Sequence, residues 1–320
     1  MRRAIVAAVL AAAGLAGASC GSDGDAGAAA RAWRPLASAT LERTEVAAAR
    51  VGRSIYVMGG FEKASGDTTP ATERYDIARD RWSRVAPMPV GLNHAAAVAY
   101  RGDVYVLGGY RGRRTLDDEV TTLNRYDPER DRWSRLPSAP TARGALAAAV
   151  IGDRLYAVGG AATGRGALAT LEIYDFRRRR WSKGPDMALA REHLAAAAVG
   201  GRFYAIAGRA APGNFTRVEA YDPARRRWRR VADLRKPRGG IAAATVGAEI
   251  VVFGGEEGAG TIREVERYDP RRNRWRGLPS LLTPRHGLGG VALGRRVYAV
   301  QGGDEPGFFF TRAIEYLDVG

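Results

Sequence analysis

The sequence predicts an all-β fold, a six-bladed propeller whose ring is closed by the N-terminal strand pairing with the last repeat, and three periodic signals carry that prediction. Tryptophan stands at 33, 82, 133, 181, 228 and 275, at intervals of 47 to 51 residues, which uses all six tryptophans of the 320-residue chain. A Tyr-Asp pair begins seven residues before each of the last five, at Tyr75-Asp76, Tyr126-Asp127, Tyr174-Asp175, Tyr221-Asp222 and Tyr268-Asp269. A glycine pair follows an apolar stretch in each repeat, at Gly59-Gly60, Gly108-Gly109, Gly159-Gly160 and Gly254-Gly255, and in degenerate form at Ala207-Gly208 and Gln301-Gly302-Gly303. A unit of this length cannot bury its own faces and must stack on its neighbours.

Each repeat reads as one four-stranded antiparallel sheet with strands a to d. In the second repeat these fall at 95–100, 104–107, 124–126 with its flanks, and 132–136. Asp127 and Pro128 stand where a type I turn favours them, so strands c and d form a hairpin. The glycines after strand b permit a backbone approach that a Cβ would block, while Tyr and Trp fill the space between sheets. At the chain ends, Trp33 has no tyrosine before it, and Tyr316 and Asp318 supply a strand c with no tryptophan after it. The two halves complete one blade and remove the exposed sheet edges.

A diglycine, then a tyrosine, then a tryptophan within one repeat resembles the kelch repeat, and the resemblance covers residues 32–320. Kelch adaptor domains grip acidic peptides with arginines near the channel mouth. Copper radical oxidases of this fold need a tyrosine cross-linked to cysteine, and Cys20 is the chain's only thiol, so that activity is excluded. The same count rules out a disulfide within one chain or a Cys-based metal centre.

Ahead of the repeats, Arg2 and Arg3, an apolar run over 4–16 and the small residues Gly17, Ala18 and Ser19 read as a signal peptide spanning 1–19. Cys20 directly after it is a lipidation candidate, the alternative being simple cleavage and release. Residues 20–31 are a Gly- and Ala-rich tether, and the propeller spans 32–320. The expected location is outside the cytoplasm, on a membrane anchor or secreted.

Strand alternation puts the a–b and c–d turns on one face and the d–a and b–c loops on the other. The turns are rich in arginine in a chain of net charge +16. Near the tether they would meet an anionic membrane surface, or else they form a solvated face. The opposite face carries the long loops 61–71, 110–120, 161–169, 209–216, 256–262 and 304–311. There the start of strand a gives Arg43, Leu92, Arg143, Arg191, Arg238 and Arg285. The five arginines are candidate anion ligands, or else they pair with carboxylates such as Glu42, Glu45 or Glu192. Asn93, His94, His193, His286, Phe308 and Phe309 complete the candidate binding residues. The histidines come from blades that are not all adjacent and do not form a ligand set, so no metal and no cofactor is expected. The chain reads as a monomeric, non-catalytic scaffold for a protein, peptide or glycan, with no nucleic-acid partner. The alternative is a sugar-acid epimerase resembling kelch sialate mutarotases, using Arg191, Glu192 and His193.

Overall fold

The computed structural model of the protein describes residues 32–211 and 213–320. The signal peptide, Cys20 and the tether lie outside the described residues. Among the described residues the secondary structure is all β, dominated by six antiparallel sheets of four strands, one of which carries an extra short strand at Gly260–Thr261. The second repeat folds as Ala96–Tyr100, Asp103–Leu107, Leu123–Asp127 and Arg132–Leu136, within about a residue of the expected limits.

The gradient of residue type across each sheet follows from its surroundings. Strand b is apolar on both faces and buried, as in Ile55, Tyr56, Val57 and Met58, because a sheet lies on either side of it. Strand a is rich in alanine and glycine, and strands a of all six sheets line one cavity of about 500 Å3. Strand d is largely exposed apart from its tryptophan.

Each sheet is joined to the next by an apolar cluster. The cluster containing Ile55, Val57 and Tyr75 also holds Val291, Tyr298 and Val300, and so joins the last sheet to the first. All six tryptophans donate their indole N–H to a carbonyl of the preceding repeat: Trp82 to Ala37 at 2.6 Å, Trp133 to Ala86 at 2.8 Å, and Trp33 in the same way to Pro279 at 2.8 Å. The strand Arg34–Pro35 pairs with the last strand, Arg34 opposite Tyr316 and Pro35 opposite Glu315.

That register corrects one expectation. It puts Leu317 opposite Trp33, in the place the other repeats give to tyrosine. Tyr316 sits one position earlier, with the Arg296 guanidinium 4.1 Å from its ring centre.

The glycine pair also resolves into unequal members. The second position is glycine in every repeat, with φ from +88° at Gly60 to +109° at Gly255, and at Gly160 a Cβ would fall 2.6 Å from the Gly144 carbonyl oxygen. The first position has φ near +50° to +71°, which Ala207 and Gln301 also adopt.

Candidate functional site

Three consecutive positions before strand a build the site, and the first is not a ligand-binding position. Arg43, Arg143, Arg191, Arg238 and Arg285 are 0 to 1% exposed. Each pairs with a glutamate on strand c of its own sheet: Arg43 with Glu73 at 2.8 Å, Arg143 with Glu172 at 3.0 Å, Arg191 with Glu219 at 2.5 Å, Arg238 with Glu266 at 2.8 Å and Arg285 with Glu315 at 2.6 Å. The two terminal guanidinium nitrogens also donate to carbonyls, as those of Arg143 do to Gly159, Thr170 and Ala157, while Nε of Arg43, Arg143, Arg191 and Arg238 has no partner. Burial lowers the Arg43 pKa to about 10, with Glu73 opposing, so it stays charged at neutral pH. The reading of these arginines as anion ligands is therefore corrected, and so is the partner assignment to Glu42, Glu45 or Glu192. The second repeat, which has Leu92 for arginine, has Asn124 where the others have glutamate. With Arg191 held by Glu219, the epimerase reading loses the group meant to grip its substrate.

The third position, two residues further on, is Glu45, His94, Ala145, His193, Gly240 and Gly287. All six have positive φ, between +51° and +67°. The amide of each of the last five donates to the carbonyl of the one before, as His94 to Glu45 at 3.1 Å, Ala145 to His94 at 2.9 Å and His193 to Ala145 at 2.9 Å. The Val46 amide donates to the Gly287 carbonyl at 3.1 Å and completes the circuit. The left-handed backbone brings Glu45, His94 and His193 to one point, with one donor atom from each within 4.8 Å of the others.

These three line a cavity of about 90 Å3. His94 Nε2 lies 3.2 Å from a Glu45 carboxylate oxygen and His286 Nδ1 3.1 Å from the other. The rings of His94 and His193 meet edge to face at 4.7 Å. Glu192 accepts from His193 Nδ1 and from Arg209, whose other arm reaches Glu256 at 2.6 Å. Burial raises the Glu45 carboxyl pKa, but His94, His286 and His193 together outweigh it and hold it well below the usual range. Burial drives His193 well below its ordinary value, aided by His94 and Arg209, and lowers His94 against the pull of Glu45. In His286 burial is overcome by Glu45 and Glu256, and its pKa is raised. The expectation that the histidines do not converge is corrected. The signal was present, because Glu45, His94 and His193 all stand two residues after the arginine column.

Asn93 is fully buried and donates to Thr68 and Gly112, so it shapes the site from within and does not face a partner. Above the histidines the loop face presents aromatic rings beside charges of both signs, among them Arg113, Arg114, Asp117, Asp118, Asp304 and Glu305. Phe308 and Phe309 are 41 and 44% exposed, and Leu116 50%. Phe308 packs edge-on to Phe61 at 5.0 Å beneath the Arg114 guanidinium, and Phe61 packs in turn on His94. On the opposite face each c–d turn repeats an Asp-Arg pair three residues apart, such as Asp127 with Arg130 at 2.7 Å.

The profile of the KLHDC2/KLHL20/DRC7 Kelch-repeats domain matches residues 32–187 and 93–303. Kelch-like protein terF of Aspergillus terreus is 37% identical over 141 residues, 41% of this chain and 31% of that protein. Human Kelch repeat and BTB domain-containing protein 12 is 30% identical over 135 residues, 40% of this chain and 22% of that protein. The aligned part thus spans a third or less of these relatives.

Proposed function

The chain belongs to the kelch-repeat family, and from that premise we propose that it is a non-catalytic binding scaffold, a closed six-bladed propeller that offers its d–a and b–c loops to a protein partner. Kelch domains mediate protein–protein interactions. The observation that carries the reading is the exposed pair Phe308 and Phe309, with the Arg114 guanidinium over the Phe308 ring, on a face whose deeper polar groups are largely engaged by one another. Aromatic and arginine side chains on one surface are the composition of an interface core. Six equivalent tryptophan bonds, six apolar clusters and the circuit of axial amide bonds support six blades in a closed ring.

The location belongs to the same proposal. The signal-like segment over 1–19 and Cys20 support export, with the chain held by a lipid or released. The exposed arginines of the turns, among them Arg79, Arg130 and Arg272, would then lie toward an anionic surface while the loop face looks outward. A photo-crosslinking residue at 309 or 114 of the full chain, expressed in its own host, should yield discrete adducts, and the same residue at 130 or 272 should yield none. Protein adducts from the turn face alone would overturn the assignment.

A further inference from the structure

We propose that Glu45, His94 and His193 form a binding site for one late first-row divalent cation, Zn2+ foremost, where the three repeats converge. Two imidazoles and a carboxylate are a donor set such ions take, with the fourth position left to water. The proposal stands independently of the scaffold reading, since a metal at this point serves a binding or a structural role equally well.

The proton positions carry the argument. Thr68 donates its hydroxyl to the Gly112 carbonyl at 2.7 Å, so its oxygen accepts from Asn93 Nδ2 at 2.8 Å. That turns Asn93 Oδ1 toward His94, where it accepts from Nδ1 at 2.7 Å. A neutral His94 therefore presents a lone pair on Nε2, and this atom lies 3.2 Å from a Glu45 carboxylate oxygen. Two acceptors in a buried site need a cation or a proton between them. His193 repeats the arrangement, its Nδ1 held by Glu192 and its Nε2 left free. A carboxylate or amide oxygen behind each ligating imidazole is the support that metal sites give their histidines.

Space is provided on the same scale. The cavity of about 90 Å3 accommodates an ion with a water molecule. At Gly287 a Cβ would fall 2.5 Å from the Glu45 carboxyl carbon, so the glycine leaves room for that side chain. His286, 1% exposed, adds a buried Nε2 without a hydrogen-bond partner at the edge of the cluster.

The test uses the full chain, free of any histidine tag and stripped with chelator, titrated with Co2+ and then Zn2+. One Co2+ per chain should bind with visible d–d absorption, Zn2+ should displace it, and the melting temperature should rise with added Zn2+. His94→Asn and His193→Asn should each weaken binding by about 100-fold or more, asparagine being chosen because it tolerates positive φ. Should either variant fail to fold, Glu45→Gln retains the shape and should weaken binding likewise, and X-ray absorption on the wild-type complex should report two imidazoles. Absence of saturable binding would mean a proton bridges the acceptors and would overturn the proposal. So would binding retained by the double variant, or a thiolate charge-transfer band assigning the ion to Cys20.

Discussion

Replacing Arg143 with leucine tests the corrected role of the arginine column. The substitution leaves the Glu172 carboxylate, 3% exposed, with Thr141 at 2.7 Å as its remaining side-chain partner. It also removes a donor from the carbonyls of Gly159, Thr170 and Ala157, of which Thr170 keeps the Gly159 amide. Removing one partner of a buried ion pair costs about 3–5 kcal/mol, because the other charge stays buried. The second repeat shows what the fold does without the pair, with Leu92 and Asn124 in the two places. Arg143→Leu with Glu172→Asn should therefore recover roughly half of the Arg143→Leu loss, about 1.5–2.5 kcal/mol, and fall well short of the sum of the two singles. Urea unfolding followed by tryptophan fluorescence measures all four corners of the cycle. Arg143→Leu unfolding at the wild-type midpoint, or a double variant whose loss equals the sum of the singles, would refute the reasoning.

Gly160→Ala and Gly102→Ala share a similar backbone strain, φ being +93° and +88°, but only the former meets an atom, the Gly144 carbonyl oxygen at 2.6 Å. Gly160→Ala should therefore cost about 1–3 kcal/mol more in the same unfolding assay. The pKa values of His94 and His193 lie below the ordinary imidazole value in the fold, so as pH falls through about 6.5 the unfolded chain takes up their protons first and stability drops. The raised His286 acts in the opposite sense, its contribution being present at low pH and lost as pH rises. His193→Asn should flatten the decline in melting temperature between about pH 7.5 and 5.5. Trp33→Ala removes the bond to Pro279 and the edge contact with Phe253 at 5.7 Å, and should destabilise the domain by about 3–5 kcal/mol, as loss of a buried tryptophan does elsewhere.

Much of the fold is legible because its signals are local and periodic. Strand limits, the Asp-led hairpins and the complementary chain ends all follow from spacing and turn chemistry, and Asp127 accepts the amides of Glu129 and Arg130 as a turn aspartate should. The site is less legible because it depends on backbone handedness. A histidine or glutamate carries no mark that its φ is positive, although Gly240 and Gly287 in the same column do hint at it. Reading the arginines as ligands ignored a second column in the sequence. Glu73, Glu172, Glu219 and Glu266 each stand two residues before the repeat's tyrosine, Glu315 two before Leu317, and the column breaks to asparagine only where the arginine is missing. Phe308 and Phe309 are identifiable as residues of a three-aromatic loop, but the contact of Phe308 with Phe61 and Arg114 joins loops far apart in sequence.

The account rests on six repeats meeting at one axis, since only that arrangement brings residues from the first, second and fourth repeats together. Native-state hydrogen exchange on the amides of Val46, His94, Ala145, His193, Gly240 and Gly287 tests it most directly. A closed circuit predicts that all six exchange only through global unfolding, with the same free energy and the same urea dependence. Early exchange at Val46, with protection kept at the other five, would mean that the ring is open between the last sheet and the first, and would contradict the account.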